Sequence, residues 1–192
     1  MGNKLIFVVG AFAVLLLGCW SPDTREPRGA LALASQAVEA GDAQLLFRVI
    51  DVRSRHALAA IQQARSEAAG LIRAHYPADA QAAALAQLGD AAVATDVADL
   101  FVRRCPKACQ AEIGARLGAP TSEKVVQGEA GPELEVTTAT GGRLRLYKGK
   151  EGHYGLVFHR QELSAERDRA ARELEQIRAN ADIYRKRKAL EQ

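Results

Sequence analysis

The chain has 192 residues, of which 48% are hydrophobic and 26% charged, proportions that exclude a wholly disordered polymer and fit one packed domain. A net charge of +3 is too small to mark a nucleic-acid binder by composition. With 5% aromatics there is little to build stacking platforms for bases or sugars.

The first element is an uncharged apolar run over 5–17, thirteen residues long, behind the positive charge of Lys4. A bilayer-spanning helix needs about 20 apolar residues. The run therefore reads as the core of a secretory signal peptide, and Pro22 and Asp23 follow closely as a stop. It ends in Leu16-Leu17-Gly18-Cys19, which resembles the lipobox of bacterial lipoproteins. The resemblance implies a diacylglyceryl group on the Cys19 thiol and cleavage by a type II signal peptidase between Gly18 and Cys19. Leu17 departs from that pattern, where a smaller residue is commoner, and implies less efficient cleavage. Trp20 in place of Asp after the cysteine implies, by the family's sorting pattern, the periplasmic face of the outer membrane. One acyl chain holds a protein marginally and two or three hold it stably. The expected organisation is a signal peptide over 1–18, a lipidated tether over 19–29, an α+β domain over 30–160 and a charged helix over 161–192. Ten extended tether residues reach at most about 35 Å, which keeps the domain close to the membrane.

Helical signals follow. A first helix is predicted over 29–40, with Gly41 just past its end and Asp42 capping a second that buries Leu45, Leu46, Val49 and Ile50. Ser54 is the expected cap of a longer third helix with Leu58, Ile61, Ala68, Leu71 and Ile72 on one side, stopping near Tyr76 before Pro77. A fourth, alanine-rich helix runs from Pro77 to Gly89. Asp90 is the expected cap of a fifth that carries Val93, Val97, Leu100 and Phe101. A sixth follows Pro106 and ends by Gly118.

Three cysteines are an odd count. Lipidation of Cys19 leaves Cys105 and Cys109, which an oxidising compartment would close. Pro106 suits a helix start, and residues four apart on a helix stand about 6 Å apart, within disulfide range. The CxxxC spacing, with no βαβ context around it, argues against a catalytic redox pair.

From 122 to 159 the pattern alternates. Leu134, Val136 and Thr138 share one strand face, and Leu144 and Leu146 share another. A loop of Thr140, Gly141 and Gly142 would set Thr138 opposite Leu144 and Val136 opposite Leu146, with Glu135, Thr137, Arg145 and Tyr147 on the wet face. A further strand is predicted over 153–159 with Tyr154, Leu156 and Phe158 inward, and Val125-Val126 adds a short fourth. The fold expected is helix-rich α+β: an N-terminal helical layer, an antiparallel meander of three or four strands, and a long C-terminal helix capped at Ser164. Along that last helix Leu163, Ala170, Leu174, Ile177, Ala181 and Tyr184 form a narrow apolar seam. Leu174, Ile177, Ala181 and Tyr184 are candidate interface residues, with the chain's own domain or with another chain. Arg185, Lys186, Arg187 and Lys188 suit the negative end of the helix dipole and, alternatively, an anionic headgroup or another acidic envelope surface.

The four histidines give no metal site within single elements: His153 and His159 stand about 20 Å apart along a strand, and His56 and His75 about 28 Å apart along a helix. No nucleophile elbow, phosphate loop or zinc-protease motif is present. The acidic residues Asp90, Asp96 and Asp99 read as solvated groups near a helix start. No catalytic residue and no cofactor is expected. The stretch Ala37-Val38-Glu39-Ala40-Gly41-Asp42, then Leu45-Leu46 and a helix ending at Tyr76-Pro77, resembles small NTF2-like lipoproteins, which would imply a conical pocket between sheet and helices. The whole pattern is similar to uncharacterised envelope lipoproteins. The expectation is a non-catalytic interaction or assembly module held to the membrane by its lipid, with an envelope protein as partner and no nucleic acid. The alternatives are a small-ligand binding lipoprotein with an NTF2-like pocket and, further off, an enzyme.

Overall fold

The structure, a computed structural model, describes residues 22–128 and 131–190. It is a helix-rich α+β fold. In chain order come α1 (Pro27–Glu39), α2 (Ala43–Val49), α3 (Val52–His75), α4 (Ala78–Leu88), a 3₁₀ turn (Gly89–Ala92), α5 (Val97–Arg104) and α6 (Lys107–Arg116). Four strands follow, β1 (Pro120–Gly128), β2 (Gly131–Thr138), β3 (Arg143–Lys148) and β4 (Tyr154–Leu156), and then α7 (Arg160–Leu190).

Local chemistry explains the helix breaks. Gly41 takes φ +63° after α1, a conformation that costs glycine no Cβ clash. Asp42 caps α2 by accepting the Leu45 N–H at 2.8 Å. The cap of α3 is Asp51, three residues before the expected Ser54, because Ile50 is extended and forms a parallel bridge to Leu156. The chain can re-enter a helix only after that bridge, and Ser54 then falls in the first turn, fully buried. Asp90 likewise sits in the 3₁₀ turn, and α5 begins at Val97 with Asp96 as cap, its carboxylate accepting the Asp99 N–H at 2.8 Å. Val93 is therefore outside α5 and 57% exposed rather than core.

The sheet is an antiparallel meander in the order β1-β2-β3-β4. Leu134 faces Leu146 and Val136 faces Leu144, two residues away from the expected register. The loop is Ala139-Thr140-Gly141, closed by the Thr138 N–H to the Gly142 carbonyl at 2.9 Å and by the Gly141 N–H to the Thr138 carbonyl at 2.9 Å. Gly142 thus accepts a hydrogen bond from Thr138 just before β3 and is packed so tightly that a Cβ would lie 2.4 Å from the Arg116 carbonyl oxygen. A shift of two preserves which residues share a face, so Val136, Thr138, Leu144 and Leu146 are still buried together. β1 is longer than Val125-Val126, and it lies at the sheet edge with both faces largely exposed, Val125 at 70%. β4 is only three residues long, although Leu156 and Phe158 are both buried.

One core joins helices and sheet: Leu31, Leu46, Leu58, Phe101, Val136 and Leu146 belong to it. Phe101 stacks at 5.5 Å from Phe47 and at 5.2 Å from Phe158. A second cluster holds Ala68, Ala69, Ile72 and Leu88 with Leu174, and Ile177 packs against it. The apolar seam of α7 is thus occupied by the chain's own α3, with Leu88 of α4 in the same cluster. Ala181 is buried, and the Tyr184 ring meets Tyr76 at 4.9 Å. Ion pairs flank the seam: Arg104–Glu166, Arg65–Glu173 and Arg178–Glu67. α7 begins at Arg160, four residues before the expected cap at Ser164, and its 31 residues extend about 46 Å.

Candidate functional site

The place where β4 crosses the α2–α3 junction gathers most of the unusual chemistry. The Asp51 N–H donates to the Leu156 carbonyl at 2.9 Å, and the Asp51 carboxylate accepts the N–H groups of Arg53 at 3.0 Å and Ser54 at 3.3 Å. The Ser54 hydroxyl lies within hydrogen-bond reach of Asp51 and of the Phe158 carbonyl. Contact here is close enough that a Cβ on Gly155 would stand 2.5 Å from the Asp51 Cα. Arg160, in the first turn of α7, donates to Asp51 at 2.8 Å and pairs with Glu133. The side chains of Asp51, Glu133 and Arg160 are 0%, 3% and 10% exposed. Burial at that level is tolerable only because each charge is matched. Tyr147 receives the Arg53 guanidinium at 4.4 Å and that of Arg160 at 5.1 Å from its ring centre. Both carboxylates are fully engaged, so this cluster fixes α3, β2 and α7 relative to one another and offers no free acid or base.

A cavity of about 640 Å³ opens beside the cluster. That is an ordinary size for a small-ligand site. Arg48, Arg53, Arg55 and Lys150 line it with His56 and His153, against the carboxylates of Asp51 and Glu151. Tyr147 and Tyr154 form part of its wall. Thr24 closes one side: its carbonyl accepts the Tyr154 N–H at 2.7 Å and its hydroxyl meets His153 Nδ1 at 2.8 Å. The expected tether is therefore fastened to the fold from Thr24, and α1 begins within it, at Pro27.

Cys105 and Cys109 form a disulfide with a Cα separation of 5.0 Å. Cys105 is the residue after α5, and Pro106 precedes the first residue of α6, so the bridge pins two successive helices. Arg185, Arg187 and Lys188 line a second cavity of about 970 Å³ with Arg73, His75 and Tyr76, at the far ends of α3 and α7. Arg185 also pairs with Asp182 at 2.9 Å. Gly18 and Cys19 lie outside the described residues. Asp99 is occupied structurally: the Thr95 N–H, and beside it the Arg103 guanidinium at 3.0 Å, hold its carboxyl below the usual carboxylate range. Among the described residues no three His, Cys, Asp or Glu side chains form a metal-binding group. No described helix is long and apolar enough to cross a membrane.

The residues of the cavity beside Thr24 are scattered along the chain, in α2, α3, β3, β4, the turn between those strands and the segment before α1, so no single local pattern marks them. His56 and His153 were weighed only against histidines in their own elements, and folding brings them to one cavity. A run of basic residues at 48, 53 and 55 was the available signal. Compared with protein-family models, curated proteins and solved structures, the chain has no match.

Proposed function

We propose that the protein is a lipid-anchored module of the bacterial cell envelope, attached through Cys19 and facing the periplasm from the outer membrane. It acts by binding, without catalysis. One observation supports this above others: of three cysteines, two are closed as a disulfide, which leaves Cys19 as the remaining thiol, at the end of an apolar run and five residues before the fold begins at Thr24. An intramolecular disulfide also fits export into an oxidising compartment. Cys19→Ser is expected to abolish fatty-acid labelling and to leave the chain uncleaved in envelope fractions. A Cys19→Ser chain still labelled and cut before residue 19 would overturn the anchor.

The seam on α7 supports no partner, because α3 covers it, with Leu88 of α4 in the same cluster. A second reading, binding of a small ligand, is favoured by the cavity of about 640 Å³ with its convergent charged groups. That cavity lies between the start of α3 and the β3–β4 end of the sheet, with Thr24 on one side.

A further inference from the structure

We infer that the cavity beside Thr24 is a binding site for a phosphate-bearing ligand, presented to the membrane surface by the tether. The first argument is charge. Four permanently cationic side chains line the cavity, Arg48, Arg53, Arg55 and Lys150, against two carboxylates. One of those carboxylates, Asp51, is already bound to Arg160 and to the start of α3. Among the described residues Arg48, Arg55 and Lys150 make no ion pair with a carboxylate, and Arg55 Nε is buried with no hydrogen-bond partner. A concave surface of one sign focuses its field on the ligand it admits. A single carboxylate would be satisfied by one guanidinium fork, whereas a phosphate offers several acceptor oxygens and up to two negative charges, enough to engage guanidinium and ammonium groups from several directions. His56 also lines the cavity, and His153, whose Nδ1 meets the Thr24 hydroxyl, adds its Nε2.

The second argument is position. Thr24 is both a wall of this cavity and hydrogen-bonded to Tyr154 of β4 and to His153. Five residue steps separate it from Cys19, a span of at most about 18 Å when fully extended. If Cys19 carries the lipid, the cavity stays within that distance of the headgroups, and the phosphodiester or phosphomonoester of a lipid is the nearest concentrated source. This choice of source rests on the lipid-anchor reading. The chemistry of the cavity does not, and a soluble phosphate ester would use the same groups.

The test uses the full chain, first in neutral detergent micelles and then in nanodiscs, with the imidazole NMR signals of His56 and His153 as reporters. Inorganic phosphate is expected to shift both signals saturably, with a Kd on the order of 1 mM. Arg48→Ala combined with Lys150→Ala, both at exposed positions, is expected to weaken binding at least about tenfold with an unchanged melting temperature. Reporters that stay still up to roughly 0.1 M phosphate, or a double variant that binds like the parent, would overturn the proposal. Phosphatidylglycerol nanodiscs in which both signals are already shifted and no longer respond to phosphate identify a headgroup as the occupant. An equal phosphate response in phosphatidylglycerol nanodiscs and in nanodiscs of neutral diacylglycerol-galactolipid identifies a soluble ester. The mass of the residue at Cys19 is measured on the same samples, so an unlipidated chain that binds phosphate refutes the anchor and leaves the site standing.

Discussion

Asp51 does three jobs, two with its carboxylate and one with its backbone. It caps α3, it receives Arg160, and its backbone N–H joins α3 to β4. Removing one partner of a buried ion pair strands the other charge, which costs about 3–5 kcal/mol. Asp51→Ala leaves Arg160 paired with Glu133, so its cost comes from the lost helix cap and one lost charged hydrogen bond, about 2–4 kcal/mol in denaturant unfolding. Arg160→Met alone frees Asp51 to serve the helix start, but it strands Glu133 and costs a comparable amount. The double variant removes both members of the pair, so its loss should be smaller than the sum of the single losses by more than about 0.5 kcal/mol. Additive losses would show that the pair is not coupled. From the sequence alone Ser54 is the expected cap. Only the bridge between Ile50 and Leu156, a contact over a hundred residues long in sequence, makes Asp51 the one used.

Elements were legible where one face is buried and obscure where neither face is. α1, α2 and α3 carry apolar residues at helical spacing and lie close to their predicted limits. β2 and β3 show alternation because Val136, Leu144 and Leu146 point into one core. β1 lies at the sheet edge with little burial on either side, so only Val125-Val126 signalled a strand nine residues long. The charged residues Glu123 and Lys124 on it discourage further pairing at that edge. The seam of α7 was visible, but the surface that covers it had to come from tertiary structure. Leu174 is 7% exposed, in a cluster with Ala68, Ala69, Ile72 and Leu88. Leu174→Asp with Ile177→Asp puts two carboxylates against the apolar side chains of Ala68, Ala69, Ile72 and Leu88, and is expected to cost about 4 kcal/mol or more. Thermal melting of the full chain in detergent measures this. An unchanged midpoint would mean that α7 does not pack along α3 in solution.

At the scale of the whole molecule the two basic cavities lie at opposite ends of α3. Arg53 and Arg55 stand in its first turn and Arg73 and His75 in its last, where Arg185, Arg187 and Lys188 of α7 join them. Twenty-four helical residues separate the ends by about 36 Å. On the proposed lipid anchor at Cys19, the chain enters the fold at the first end, near Thr24, so a domain standing upright would hold the second end well away from the membrane. A domain lying with α3 along the surface brings both ends to the headgroups. Each basic residue near an anionic leaflet gains about 1 kcal/mol, and Arg187 and Lys188 are exposed and make no ion pair among the described residues. Anionic lipid should therefore tip the domain flat, while neutral lipid leaves it held by the tether alone. Photo-cross-linkers at Lys150 and Lys186 report the two ends separately. On phosphatidylglycerol bilayers both are expected to label lipid. In about 0.5 M salt, where the screening length shrinks to a few ångströms, labelling from Lys186 should fall sharply and labelling from Lys150 should persist, because five residues still hold that end down. Equal salt loss at both positions would place the tether's constraint elsewhere, and lipid labelling from Lys186 on neutral bilayers would show that the far end is held by something other than charge.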